Sequence, residues 1–205
     1  MCFEVRFRDP RLACRAGLGD DCRSMTGMAD IIAAAFEFET ERLQLRLLAA
    51  RDEALFCGLY TDPETMRFIG QPLTAGQAAR YFQRAMAGMH QQPCKWLYLA
   101  ILEKESGQPL GVCGVPQFDK DATRLEVGLV LATEARSRGY AREGLAALVK
   151  RVFEVSSVVE IWAQFSTEHV AAERLVIDIG FSSCTYAPIE PGFLSKRIWS
   201  IPRSS

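Results

Sequence analysis

The chain has 205 residues, of which 49% are hydrophobic and 24% charged, and its formal net charge is −1 at pH 7. These values are ordinary for one globular domain with a sizeable core, and they lack the basic excess that is typical of nucleic-acid-binding proteins. No apolar run is long enough to span a bilayer, so we expect neither nucleic acid nor a membrane as a partner.

The spacing of the cysteines and the pattern of the first 30 residues indicate the cellular compartment. The seven cysteines are scattered and never form a C-x-x-C pair, which argues against a disulfide framework and against a zinc site. Charged residues interrupt every apolar stretch of the first 30 residues, so a secretory pattern is missing. We therefore predict a cytoplasmic protein with no bound metal.

Residues 1–37 differ from the rest of the chain. Five arginines lie in the first 23 residues, neither a helical nor a strand period persists, and Met25 and Met28 offer alternative start sites. We interpret this segment as a poorly ordered N-terminal extension or a mis-called start, with a regulatory arm as the functional alternative. A single domain is predicted over residues 38–205.

The domain begins with a strand and two helices. Leucines alternate with polar residues over 42–48, which predicts a half-buried strand, and a helix over 50–61 is expected to stop at the following Asp-Pro pair. Thr74 and Gln77 have the spacing of a capping box, and an apolar face follows on a second helix.

Three apolar runs follow at 96–102, 110–118 and 124–131, and their short connections predict an antiparallel meander. A helix over 140–155 connects the strand at 124–131 to a strand over 158–165. This crossover places these two strands parallel. A helix over 168–179 and short strands near 181–186 and 196–201 complete the chain. The predicted class is α/β (α+β), a twisted mixed sheet of about seven strands flanked by four helices.

The most informative segment is residues 136–141, Arg-Ser-Arg-Gly-Tyr-Ala, between a predicted strand and an amphipathic helix. The first N–H groups of a helix lack partners within it, and the helix dipole favours an anion there. Gly139 allows close approach to the backbone, and Arg136, Arg138 and Arg142 add positive charge. The segment predicts a pyrophosphate site, with an ordinary basic helix start as the alternative. The glycine motifs of P-loop and dinucleotide-binding proteins do not occur.

Four segments, in the right order over residues 39–205, resemble the GNAT superfamily of N-acetyltransferases, especially its RimJ/RimL-like branch. Residues 41–46 are similar to the branch's E-R-L-x-L-R, and residues 126–128 to its E-i-G. Residues 136–141 match R/Q-x-x-G-x-G/A, and residues 139–143 match G-Y-A-x-E. Gly180 and Phe181 match the G-F that follows the fourth helix.

The resemblance implies a sheet whose fourth and fifth strands splay apart, with acetyl-CoA as co-substrate in the splay. A backbone N–H of Leu129 or Val130 would meet the oxyanion. The expected co-substrate contacts are the backbone of Leu129, Val130 and Leu131 for the pantetheine arm and Arg136, Ser137, Arg138, Gly139, Tyr140 and Ala141 for the pyrophosphate.

The chain departs from the family in its fourth helix. Where members often have N-x-x-S, this chain has His169 and Ala172, and the helix lacks the tyrosine that many members use as a proton donor. The leaving thiol has a pKa of about 8.5, so it can depart without an acid. His169, at a helix start that disfavours its cationic form, is expected to contact the thiol or relay a proton; the alternative is an exposed cap histidine.

Glu126 is the candidate general base, acting through a water; the alternative is a carboxylate satisfied by a neighbouring cation such as Arg124. Cys113 and Cys184 have no activating neighbour in sequence, so we expect inert thiols. Tyr186 and Trp199 are either acceptor-pocket residues or strand residues of the core.

The predicted function is direct transfer of an acetyl group from acetyl-CoA to a primary amine, either a protein N-terminus or a small molecule, in a ternary complex. Weak base machinery favours α-amino groups, with a pKa of about 8, over lysine at about 10.4. The alternatives are a non-catalytic acyl-CoA sensor and an unrelated α/β protein with a coincidental anion loop. The acceptor is not encoded in a readable pattern, and the oligomeric state is open, a homodimer included.

Overall fold

The computed structural model describes residues 35–91, 94–119, 121–184 and 196–204, and these contain nine strands and five α-helices. Most of the predicted extension, and Tyr186, lie outside the described residues. The strands are β1 (Phe38–Glu39), β2 (Leu43–Leu47), β3 (Trp96–Glu103), β4 (Pro109–Pro116), β5 (Arg124–Glu126), β6 (Gly128–Leu131), β7 (Glu160–Ser166), β8 (Ser182–Cys184) and β9 (Lys196–Pro202). The helices are α1 (Glu53–Thr61), α2 (Pro63–Met66), α3 (Ala75–Met89), α4 (Tyr140–Val155) and α5 (Val170–Ile179).

The strands form two sheets rather than one. The first has the order β1-β2-β3-β4-β6 and is antiparallel throughout, which confirms the predicted meander. The second has the order β5-β7-β9-β8, and β5 runs parallel to β7, as the crossover predicted. The run predicted as one strand over 124–131 changes sheets at Val127, whose N–H donates to the carbonyl of Trp162 at 2.9 Å.

Two apolar clusters cover the two faces of the first sheet. One contains Leu129 and Leu131 and packs under α4, whose predicted buried stripe at Leu145, Leu148 and Val152 is confirmed. The other, which includes Val130, packs under α1 and α3. Full burial of one such aliphatic side chain stabilises the fold by about 1.5–3 kcal/mol, so these stripes fix which face each helix covers.

The segment between α1 and α3 contains an unpredicted helix. Asp62 ends α1, as expected, but its side chain also accepts a hydrogen bond from the N–H of Thr65 at 2.9 Å, and Pro63 occupies the first position of α2. This is the usual chemistry of a helix start, so the Asp-Pro pair both stops one helix and begins another. The capping box of α3 is confirmed, since the N–H of Thr74 donates to Gln77 Oε1 at 2.8 Å and the N–H of Gln77 donates to Thr74 Oγ1 at 3.3 Å.

The core also draws on residues before the predicted domain boundary. Phe36 is fully buried, and its ring meets that of Phe118 edge to face with centroids 5.4 Å apart. Glu37 accepts a hydrogen bond from the N–H of Leu47 at 2.9 Å. Within the ranges that the structure describes, no helix combines the length and apolarity needed to cross a membrane.

Candidate active site

A gap opens where the two sheets separate. In the described residues, β6 pairs with β4, and β7 pairs with β5 and β9, so β6 and β7 diverge beyond Val127. Because β5 and β7 are parallel, the carboxyl ends of β6 and β7 lie at the same end of the molecule. The loop of residues 136–139 follows the first of these ends, and His169 follows the second.

The backbone of β6 offers hydrogen-bonding groups to this gap. The N–H of Ala132 donates to the carbonyl of Leu110 at 2.9 Å, and pairing in an antiparallel ladder alternates from residue to residue. Val130 therefore bonds toward β4, whereas Leu129 and Leu131 direct their backbone groups into the gap. Of the two predicted oxyanion donors, Leu129 is the one whose N–H faces the gap.

The loop before α4 has the backbone of an anion-binding turn. Ser137 has a φ of 60° and Gly139 a φ of 83°, so two left-handed residues flank Arg138. A Cβ on Gly139 would lie 3.2 Å from a terminal guanidinium nitrogen of Arg42, so the position is restricted in conformation and in space. Residues 137–139 are exposed, and the N–H groups of the first turn of α4 follow them directly. Turns of this kind direct successive N–H groups at one anion.

A carboxylate of α4 fixes the loop from behind. Glu143 accepts hydrogen bonds from the N–H of Arg42 at 2.8 Å, from its Nε at 2.8 Å, and from Thr40 Oγ1. The same guanidinium donates to the carbonyl of Arg138 at 2.9 Å. Burial alone would raise the pKa of Glu143, but these hydrogen bonds outweigh it and lower the pKa. This clamp was not predicted from the sequence, although both partners lie in motifs that carried the resemblance.

Tyr140 supports the loop with its ring. Its side chain is buried between the guanidinium groups of Arg42 and Arg138, at 4.7 and 4.9 Å from the ring centroid, and its hydroxyl donates to Glu103. Hydrogen bonds from Ser106 and Tyr140 lower the pKa of Glu103, which also pairs with Arg138 at 3.2 Å. Arg138 remains half-exposed and keeps its charge beside the loop.

Arg136 is turned away from the loop's exposed backbone. Its guanidinium donates to Thr65 Oγ1 at 2.7 Å and to the carbonyl of Leu131 at 3.2 Å, and its other terminal nitrogen donates to the carbonyl of Glu64 at 3.4 Å. The structure thus ties Arg136 to α2 and to the last residue of β6. Ala141, the remaining predicted loop residue, is buried at the start of α4.

Glu126 lies at the end of β5, half-buried, and accepts a hydrogen bond from Gln164 Nε2 at 3.1 Å. Arg124 pairs instead with Glu160, so Arg124 is not the cation that satisfies Glu126. The candidate base therefore has a neutral hydrogen-bond donor on β7, Gln164, which helps to orient its carboxylate.

The side chain of Glu126 belongs to the face covered by α1 and α3. Leu125, Val127 and Leu129 all pack in the cluster under α4, so the alternate residues of this run face the other way. Tyr98 is buried on that other face. Burial raises the pKa of Tyr98 well above its ordinary value, and the nearby charge of Glu126 adds to this effect. Tyr98 could not be singled out from the sequence, because it lies in an unbroken apolar run.

His169 is buried rather than exposed, so the alternative of an exposed cap histidine is wrong. It does cap α5, since its Nδ1 accepts a hydrogen bond from the N–H of Ala172 at 3.3 Å, and its ring stacks on Phe68 with centroids 4.4 Å apart. Burial, with a smaller effect of the positive Arg136, lowers the pKa of His169 to about 4. The imidazole is therefore neutral at physiological pH, with its proton on Nε2.

Two further candidates, Cys113 and Trp199, are buried in the core. Cys113 is fully buried, and burial raises the pKa of its thiol far above the usual range, as an inert thiol requires. Trp199 is buried and stacks on Phe165 with centroids 6.4 Å apart, which favours the core assignment. Among the described residues, no group of three or more His, Cys, Asp or Glu side chains is placed to hold a metal ion.

Comparison with known proteins identifies the family. Residues 42–182 match the family described as Acetyltransferase (GNAT) domain. An uncharacterized N-acetyltransferase, p20 of Bacillus licheniformis, is 25% identical over 143 residues, which are 69% of this chain and 80% of that protein.

Solved structures of similar fold include two acetyltransferases. The first is spermidine N-acetyltransferase from Vibrio cholerae in complex with CoA and spermine, with a TM-score of 0.68, 15% identity, and coverage of 80% of this chain and 96% of that one. The second is ribosomal-protein-S5-alanine acetyltransferase from Vibrio fischeri, with a TM-score of 0.65, 15% identity, and coverage of 81% and 96%. The chain therefore belongs to the GNAT family of acetyltransferases, enzymes that take acetyl-CoA as their co-substrate.

Proposed function

We propose that this chain transfers the acetyl group of acetyl-CoA to a primary amine by direct attack within a ternary complex. The observation that carries the proposal is the left-handed loop of residues 137–139, which leads into α4 beside the open backbone edge of β6. A loop of free N–H groups suits a pyrophosphate, and an open strand edge suits the amide groups of a pantetheine arm.

The residues present fit the donor. The first turn of α4 and Arg138 supply backbone N–H groups and charge for the pyrophosphate, while Arg42, Glu143 and Tyr140 hold the loop in shape from behind. The backbone groups of Leu129 and the N–H of Leu131 point into the gap and suit the pantetheine amides, whereas the carbonyl of Leu131 already accepts from Arg136 at 3.2 Å. Acetyl-CoA, when bound, supplies an activated carbonyl and a thiol that can leave as a thiolate.

The chain's own groups then have separate tasks. Glu126 removes the proton of the amine through a water, because its carboxylate is oriented by Gln164 and half-buried on the face covered by α1 and α3. The N–H of Leu129 faces the gap and stabilises negative charge that develops on the acetyl oxygen. The neutral His169 stands at the far side of the gap, where its Nε2–H is a hydrogen-bond donor for the thiol end.

The proposed acceptor is an amine that one carboxylate, Glu126, can deprotonate. Amines of low pKa meet this condition most easily. The spermidine and ribosomal-protein-S5-alanine acetyltransferases of similar fold suggest a panel that includes spermidine and peptides with an N-terminal alanine. To this panel we add Nα-blocked lysine, whose only amine is the side-chain amine with a pKa of about 10.4, to test the preference for α-amines.

A thiol-release assay with acetyl-CoA and this panel tests the proposal. We expect turnover with at least one amine and a loss of CoA affinity of at least about tenfold in Arg138→Glu, since attraction at the loop becomes repulsion. Arg84→Glu makes the same charge change at an exposed position of α3 and should leave the affinity unchanged. Saturable CoA binding with no turnover on any amine would support the sensor instead.

A further inference from the structure

The short segment after α1 touches both sides of the gap between β6 and β7. We call residues 62–68, which comprise Asp62, α2 and the next two residues, the bridge. On the β6 side, Thr65 accepts a hydrogen bond from Arg136 at 2.7 Å, and Asp62 accepts one from Thr133 Oγ1 at 3.3 Å. Thr65 is buried, so water competes little for its hydrogen bond with Arg136, and this bond is stronger than one in solvent.

At its other end the bridge reaches the residue that follows β7. The ring of Phe68 stacks on that of His169, with centroids 4.4 Å apart and planes inclined by 26°. Because Arg136 follows β6 and His169 follows β7, the bridge spans the gap at the carboxyl ends of the two diverging strands. It contacts both the donor's loop and the neutral imidazole.

We propose that Arg136 is a positioning residue. It couples ligand binding at residues 137–141 to the ordering of the bridge across the gap. Its guanidinium joins three parts of the site, namely α2 through Thr65, the last carbonyl of β6, and its own loop. Any ligand that orders residues 137–141 therefore also orders the adjoining backbone of Arg136. Through the guanidinium of Arg136, it orders the bridge. This inference rests on the proposed function, because the ligand that orders the loop is CoA.

The bridge is well suited to such control. An isolated helix of four residues has little stability of its own, so α2 depends on its contacts with the rest of the domain. The contact with Arg136 carries a full charge and is the shortest hydrogen bond between the bridge and the β6 side in the described residues. Loss of that contact should loosen residues 62–68 and leave the backbone of the loop intact.

Hydrogen exchange measured with and without CoA tests the coupling. Calorimetry first establishes that CoA binds. In the wild type we expect CoA to slow exchange of the amides of residues 64–70 by roughly tenfold, together with those of residues 137–142. Thr65→Val removes the shorter of the two hydrogen bonds from Arg136 to the bridge, along with the hydroxyl's bond to Asp62 at 2.6 Å, and leaves the longer one to the carbonyl of Glu64. In this variant only the protection of residues 137–142 should remain. Arg136→Lys, altered from the loop side, should give the same pattern.

Thr61→Val is the matched control. Its hydroxyl donates within α1, to the carbonyl of Cys57 at 2.9 Å and to that of Gly58 at 3.4 Å, so CoA should protect both segments as in the wild type. Protection of the bridge that persists in Thr65→Val and Arg136→Lys would overturn the coupling, as would CoA binding that leaves the bridge unaffected in the wild type. Failure of CoA to bind at all would overturn the proposed function and this inference together.

Discussion

The loop that faces the donor and the sheet face that carries Glu126 are built in different ways. The donor side is a backbone structure, in which two left-handed residues and a helix start present N–H groups, and side chains such as Arg42 and Glu143 hold it from behind. The side covered by α1 and α3 is made of side chains, with Glu126 and Tyr98 on an apolar face. Backbone sites depend on a few positions where only small or flexible residues fit, whereas side-chain sites depend on residues that are distant in sequence.

This contrast predicts that changes on the two sides affect different measured quantities. Changes at the loop should act on CoA affinity, and changes at Glu126 on the rate of transfer.

Glu126→Gln should reduce kcat about a thousandfold, because the amide cannot accept the amine's proton, while the Kd for CoA stays within about twofold of the wild type. Steady-state kinetics with the best amine of the panel and calorimetry with CoA measure the two quantities. Glu160→Gln, on the neighbouring strand and paired with Arg124, is the matched control and should retain activity. Unchanged kcat in Glu126→Gln would remove this residue from the mechanism.

His169 should make stability depend on pH. Its pKa is about 4 in the folded state against about 6.5 unfolded, so the unfolded chain binds the additional proton between these values. The free energy of unfolding should therefore fall by roughly 3 kcal/mol as the pH drops from 7 to 4. Urea unfolding at several pH values should show this loss in the wild type, and His169→Asn, which keeps a cap acceptor, should lack it. Equal pH slopes would mean that the histidine is not held neutral.

Gly139→Val should weaken CoA binding by about thirtyfold, because a φ of 83° strains any β-branched residue and the new Cβ meets Arg42. Gly107→Val is a fair control, since Gly107 has a φ of 69° but open space around it in the turn after β3. Both variants should lose comparable stability in thermal unfolding, and only Gly139→Val should lose CoA affinity in calorimetry. Equal affinities would show that the loop's shape does not matter to the ligand.

Glu143→Gln should destabilise the fold by about 1 kcal/mol at pH 7, a modest value because the guanidinium of Arg42 is partly exposed. The hydrogen bonds that lower the pKa of Glu143 contribute stability above the unfolded pKa of about 4.3, and this contribution is lost as the pH falls further. Denaturant unfolding should show the difference at pH 7 and a smaller difference at pH 3. Glu154→Gln, an exposed carboxylate on the same helix, should have a smaller effect, and a difference of the same size at pH 3 and pH 7 would contradict the clamp.

The same contrast explains what could be predicted from the sequence. The bounds of α4 were predicted correctly because an apolar stripe and a loop with glycine mark its start, and both signals are local. The change of sheet at Val127 was not, because residues 124–131 form one continuous apolar run with no turn between its two halves. Pairing partners decide where a strand leaves one sheet for another, and they are not written in the run itself.

Long-range side-chain contacts set the other limit. Arg136 was interpreted as a charge beside the pyrophosphate, but its partner Thr65 lies 71 residues earlier in the chain. Arg42 and Glu143 are 101 residues apart, and each was identified in its own motif without any sign that the two meet. The motifs predicted where the site lies, and only the fold shows which side chains hold it together.

A titration that compares CoA with pantetheine tests the role of the loop most directly. Pantetheine contains the arm and the thiol but no pyrophosphate, so it can use the edge of β6 and cannot use residues 137–141. We expect saturable CoA binding and at least about a hundredfold weaker binding of pantetheine, a difference of about 2.7 kcal/mol. Equal affinities, or no binding of CoA, would contradict a pyrophosphate site at the start of α4.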